Sequence, residues 1–283
     1  MATIGLFLIA GGCRSTAVEP KAAIHAEMTN WRFGPNPGRR IATDHYVIHT
    51  TAVDSVTLEV LAEFMETAHR QYAELLPPQH PAPQPMTSYV FATRAQWEHY
   101  VKATAGARAN QYLRIRAGGY TEQDVCATYY TSRESMLAVL AHEGLHQYVY
   151  RHVGPNVPAW VNEGLACYVE NFDWRNGRPV FKPQSNRFRI GHLRQALAYG
   201  QMIPIMDLVK SDAGQALAGT HAEGMQYYAQ TWGLIMFLLD DPKSDYGQGF
   251  EKLRRELGSP AMMAGVRAQM AATPDIKLSV GQA

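Results

Sequence analysis

The sequence predicts an α+β fold, a small mixed or antiparallel sheet followed by a mainly α-helical C-terminal part. Three observations predict it. Two short runs rich in β-branched and aromatic residues, 46–51 and 88–92, alternate in the first half with stretches of helical spacing at 54–76 and 94–104. A third extended run, 125–131, leads straight into an apolar helix. Beyond it the patterns are helical: 188–199, 205–209, 227–239, 246–257 and 260–271.

In the first helix of the series, 54–76, the residues Val56, Leu58, Leu61, Phe64, Met65, Ala68 and Tyr72 fall on one face. The proline-rich run 77–83 stops it. With 283 residues and 46% hydrophobic content, the chain can bury one sizeable core or two small ones. A net charge of +1 gives no electrostatic case for nucleic acid or for anionic membranes as partners. His45, His49, His69, His80 and His99 are scattered without metal-ligand spacing and read as ordinary packed or surface histidines.

The chemistry concentrates in 141–170. His142-Glu143-Gly144-Leu145-His146 has the spacing H-E-x-x-H, and Glu163 follows seventeen positions after His146. Side chains four apart share one helix face, so both imidazoles can reach one Zn²⁺. Glu143 is placed to hydrogen-bond a metal-bound water, and a catalytic zinc needs a third protein ligand. Glu163 is the natural candidate. Thr131 and Glu134 suggest a capping box at the start of this helix, Gly154-Pro155-Asn156 a stop, and Pro158 the start of the next. Glu163 then lies one or two turns into a second helix that a short loop can fold back on the first.

H-E-x-x-H followed by a glutamate in Trp160-Val-Asn-Glu-Gly-Leu-Ala166 resembles the gluzincin metallopeptidases, the aminopeptidase N branch in particular, and the smaller peptidase-MA-like proteins. The resemblance is strong over 132–170 and weaker over 227–239. It implies one Zn²⁺ per chain, held by His142, His146 and Glu163, with Glu143 as general base and a peptide or protein as substrate. It further implies an edge strand beside the zinc-binding helix pair, with 125–131 as that strand. The aminopeptidases carry Tyr-x-Lys-Gly where this chain has Tyr228-Ala-Gln-Thr231, so Tyr228 is implied as the oxyanion donor, with Tyr227 as the fallback and the Lys-Gly pair absent. Glu122 lies where those enzymes recognise a substrate amine, without matching their motif. Some gluzincins place an aspartate four residues after the ligand glutamate to orient a histidine. Cys167 stands there, and Glu170, seven residues on and on the same face, is the substitute. Two other function classes stay open: a catalytically silent zinc-binding surface protein, and a zinc hydrolase of non-peptide acyl substrates.

Residues 1–13, a short apolar run ending in small residues and Cys13, resemble a bacterial lipoprotein signal. The departures are the lack of Lys or Arg before the run and Ala10 where leucine is usual. The expectation is export with membrane attachment through a lipidated Cys13, facing the periplasm or cell exterior. Cys126 and Cys167 then either pair or remain buried thiols. The expected organisation is a leader (1–13), a tether (14–40), an N-terminal α/β part of a catalytic domain (41–131), zinc-site helices (132–175) and an α-helical C-terminal part (176–283). Pro20, Gly34, Pro35, Pro37 and Gly38 are the residues that read as a tether.

Overall fold

The computed structural model describes residues 24–81, 84–116, 118–211, 220–262 and 264–265. The leader with Cys13 and part of the helix expected over 260–271 lie outside the described residues.

The expected tether is a correction: from Glu27 on it is a strand hairpin. Strands β1 (Glu27–Phe33) and β2 (Asn36–Ala42) form an antiparallel hairpin that turns at Gly34, where φ is 56°. Of the prolines that suggested a tether, Pro35 sits at the turn and Pro37 near the start of β2, where a missing N–H costs little. Gly38 is there for packing. A Cβ would stand 2.3 Å from the Thr50 carbonyl oxygen, so only glycine admits the neighbouring backbone.

Strand β3 (Tyr46–Thr50) lies antiparallel to β2. Helix α1 (Ser55–Leu75), capped by Asp54 accepting from the Thr57 N–H at 2.9 Å, crosses to β4 (Met86–Phe91), which runs parallel to β3. Helix α2 spans Arg94–Thr104, as the sequence predicts, and the short α3 spans Ala109–Tyr112. Strands β5 (Gly119–Glu122) and β6 (Val125–Tyr129) then form a hairpin, with β6 parallel to β4. The sheet order is β1-β2-β3-β4-β6-β5. The strand expected at the edge, β6, is therefore interior, and the edge is β5, whose four residues are too few to show an alternating pattern.

Alternation along the central strands sorts side chains to two faces. Ile48, Met86, Val90 and Cys126 face α1 and the motif helix, α4 (Arg133–Tyr148). Phe91, Ala127 and Tyr129 face α2, where the buried Trp97 donates from Nε1 to the Ala127 carbonyl at 3.1 Å.

Helix α5 (Ala159–Tyr168) precedes a second hairpin, β7 (Phe172–Arg175) and β8 (Arg178–Phe181). Its turn uses Asn176 and Gly177, both at positive φ, and Phe172 and Phe181 pack on Phe64 of α1. Helices α6 (Arg187–Ala198), α7 (Ile205–Leu208), α8 (His221–Asp240) and α9 (Asp245–Glu256) complete the C-terminal part. A capping box of Thr220 and Glu223 starts α8 well before Tyr227. One apolar cluster runs from Ile48 through Leu140 and Leu165 to Ile235 and Phe250, so the sheet and the C-terminal helices share a core. No helix among the described residues is long and apolar enough to cross a membrane.

Candidate metal centre

The cap of α4 is one residue later than the sequence suggests. Ser132, not Thr131, accepts from the Ser135 N–H at 3.2 Å, while Glu134 pairs with Arg133. The helix continues as a π-type turn (Val149–Val153) and ends at Gly154, whose φ is 113°. The next helix, α5, opens after Pro158 and packs against α4, which brings Glu163 beneath both histidines.

There Glu163 Oε2 stands 3.4 Å from His142 Nε2 and 3.5 Å from His146 Nε2. The three ligand atoms lie within 4.8 Å of one another, and the buried Oε2 has no hydrogen-bond partner. An orphaned carboxylate oxygen facing two imidazole nitrogens is costly unless a cation joins them. The spacing fits one: ligands about 2.0–2.1 Å from a tetrahedral centre stand about 3.3–3.4 Å apart. Burial favours a neutral Glu163, but His146 and His142 overcome it and hold its pKa far below the usual carboxylate range.

The far nitrogens of both rings are engaged. His142 Nδ1 meets Glu170 Oε1 at 2.9 Å, the partner anticipated from sequence. His146 Nδ1 meets Asn162 Oδ1 at 3.1 Å, a partner the sequence reading missed. Its signal was present, since Asn162 directly precedes Glu163, the candidate ligand. Both acceptors favour the Nδ1–H tautomer and leave Nε2 as a lone pair turned inward. Glu170 in turn accepts from Arg189 Nε at 2.9 Å and from Asn186 Nδ2 at 3.3 Å. Burial would raise the Glu170 pKa, yet Arg189 and His142 bring it down to about 2.

Cys167 and Glu170 form a second donor group around His142. It suits a metal poorly. The Cys167 thiol is kept protonated by burial, and the Glu170 carboxylate is already bound to a guanidinium. Cys126 and Cys167 are both buried free thiols, so of the two alternatives left open the unpaired one holds.

Glu143 is fastened from the sheet. Thr121 of β5 donates its hydroxyl to Glu143 Oε2 at 2.8 Å and lies 3.0 Å from the Glu143 carbonyl oxygen. The edge strand is therefore seated directly against the candidate base. Gly144 faces the other way: a Cβ there would meet Tyr72 Oη at 2.7 Å, and that hydroxyl donates to the Ala141 carbonyl. The Tyr228 ring stands edge-on to His142, centroids 6.1 Å apart, whereas Tyr227 is buried in the packing of α8. Burial, then Glu163, Cys167 and Glu143, push the Tyr228 phenol well above its ordinary pKa. Glu122 is not brought to the site. Strand alternation turns it away from Thr121, and it pairs with Arg108 and accepts from Tyr112.

A separate stack of histidines lies at the far end of α4. His45 binds Glu66 at 2.7 Å and stacks on His69 at 3.7 Å between centroids; His69 Nε2 meets His152 Nε2 at 3.5 Å. His152 Nδ1 faces the His80 carbonyl, which only accepts, so His69 is the donor to His152 Nε2. Burial, with His45 and His152 nearby, pushes His69 down to about 3. A histidine kept neutral in the fold but free to protonate when unfolded contributes fully above about pH 6.5, and that contribution is lost as pH falls toward 3. Between pH 6.5 and 5 the loss is about 2 kcal/mol. Urea unfolding at both pH values should show wild type losing about that much more stability than His69→Phe. Equal losses would place the titration elsewhere.

Among known families, a model described as "Protein of unknown function (DUF1570)" matches residues 136–256. The similarity runs from α4 to the end of α9 and includes His142, Glu143, His146, Glu163, Glu170 and Tyr228. No curated protein matches the chain.

Proposed function

We propose that the protein is a zinc-dependent hydrolase, a peptidase of the gluzincin type, with one zinc ion held by His142, His146 and Glu163. The observation that carries this reading is the convergence of two imidazole Nε2 atoms and an otherwise unpartnered carboxylate oxygen in one buried spot. When bound, zinc supplies an acidified water and a positive charge that polarises the scissile carbonyl.

The chain's own residues do the rest. Thr121 occupies Oε2 of Glu143, which leaves Oε1 to take a proton from the attacking water and return it to the leaving amine. Tyr228, kept protonated, is a hydrogen-bond donor at neutral pH beside His142, placed to meet charge developing on the carbonyl oxygen. Strand β5 ends the sheet next to Glu143, where an extended peptide can add as a further strand. Glu170 and Asn162 keep the two metal-facing rings in one orientation.

The test is digestion of a mixed peptide library by zinc-loaded protein and by Glu143→Gln, with products identified by mass spectrometry. Wild type should cleave, and the variant should lose about 10²–10⁴-fold in rate while retaining one zinc per chain. Absence of cleavage by zinc-loaded wild type would sink the peptidase reading and favour a binding protein or a non-peptide hydrolase.

A further inference from the structure

Arg189 lies on the first turn of α6, outside the motif and outside the sequence-derived site. It is only 7% exposed. Burying a guanidinium is costly unless its charge is matched and its donors used. The charge is matched: Nε and Nη2 make a fork on the two oxygens of Glu170, at 2.9 and 2.5 Å. The donors are not all used, because Nη1 is buried without a hydrogen-bond partner. Nη1 carries two N–H donors, and leaving them unpaired in a buried place calls for a reason beyond packing. The guanidinium also lies over two aromatic rings, with its central carbon 5.3 Å from the Tyr228 ring centroid and 5.3 Å from that of Phe188.

Two routes therefore leave one side chain. Through Glu170, Arg189 reaches His142 Nδ1, and Asn186 reinforces this route by binding Glu170 while capping α6 at the Arg189 N–H. Through a cation–π contact it reaches the ring of Tyr228, on a different helix. Resting on the zinc-hydrolase reading above, we propose that Arg189 is a positioning residue that fixes the metal-facing ring of His142 and the ring of Tyr228 together. The sequence hides it, because α6 shows no motif and the contact spans nineteen residues from Glu170.

The experiment measures zinc affinity by competition with a chromophoric chelator, and kcat and KM separately, for Arg189→Met and Arg189→Lys. Both variants should bind zinc about 10–100-fold more weakly, since lysine keeps the charge but neither the fork nor the flat face. Both should lower kcat more than they raise KM. In a Glu170→Gln background Arg189→Met should leave zinc affinity where Glu170→Gln already put it, because that route is cut, and should still lower kcat several-fold through Tyr228. If Arg189→Met does not fold, Arg189→Lys carries the same comparisons. Unchanged zinc affinity in a folded Arg189 variant, or zinc-affinity losses that simply add in the Glu170→Gln background, would overturn the inference and leave the metal centre standing. Wild-type protein that binds no zinc would overturn the metal centre and this inference with it. Zinc affinity is read without any peptide, so a failure of peptidase activity alone is told apart from a failure of the role of Arg189.

Discussion

Glu163→Ala should reduce bound zinc from about one per chain to near background and lower hydrolysis at least about 10³-fold, the equivalent of several kcal/mol of charge stabilisation. The reason is geometric. His142 and His146 come from one helix and supply two donors, and Glu163 is the only other carboxylate oxygen grouped with both Nε2 atoms among the described residues. Without it, only the two imidazoles remain to hold a cation. Stability gives a second readout. Ligand binding to the folded state alone stabilises by about 4 kcal/mol at a thousandfold excess over Kd, so zinc should raise the unfolding temperature of wild type and not of Glu163→Ala. Elemental analysis after dialysis, with thermal unfolding with and without added zinc, checks both. A variant that keeps its zinc would move the third ligand to another residue.

What was legible in the sequence depended on how local its cause is. His142, Glu143 and His146 sit in one helix, and their geometry follows from its pitch. Glu163 needed only a short connection between two helices, which Gly154 and Pro158 announced. Glu170 followed from helical phase carried just beyond α5. Thr121 did not, because its contact with Glu143 depends on which strand closes the sheet, and pairing order is a non-local property. The hairpins β1–β2 and β7–β8 were missed for different reasons. In the first, glycine and proline read as a linker, although Gly38 is dictated by the approach of Thr50. In the second, the signal was available: Asn176-Gly177 is the dipeptide that a tight hairpin turn prefers, and it lies between two short aromatic-bearing strands. Arg189 and the histidine stack are products of tertiary packing between distant segments, and no spacing announces them.

Gly164→Ala should cost about 2–3 kcal/mol of stability and lower kcat while zinc stays bound. Intrinsic helix propensity argues the opposite way, since alanine inside a helix is favoured over glycine by about 1 kcal/mol. Packing decides the sign. A Cβ on Gly164 would stand 2.5 Å from Ile235 Cγ1 and 2.7 Å from the Thr231 carbonyl oxygen. The isoleucine can change rotamer, but the carbonyl belongs to the backbone of α8 and moves only if the helix moves, which puts the overpacking cost at or above the usual 1–3 kcal/mol. Thr231 is hydrogen-bonded through Oγ1 to the Tyr228 carbonyl at 3.1 Å, so a displaced Thr231 takes the tyrosine with it, away from His142. The proposed metal ligands lie on α4 and α5, which this contact does not separate. Urea unfolding, zinc content and kcat measured on one preparation distinguish the effects. Gly164→Ala with unchanged stability would mean that α5 and α8 are less closely packed than their backbone separation requires. Lost zinc would mean that the position of Glu163 depends on α8 as well as on α5.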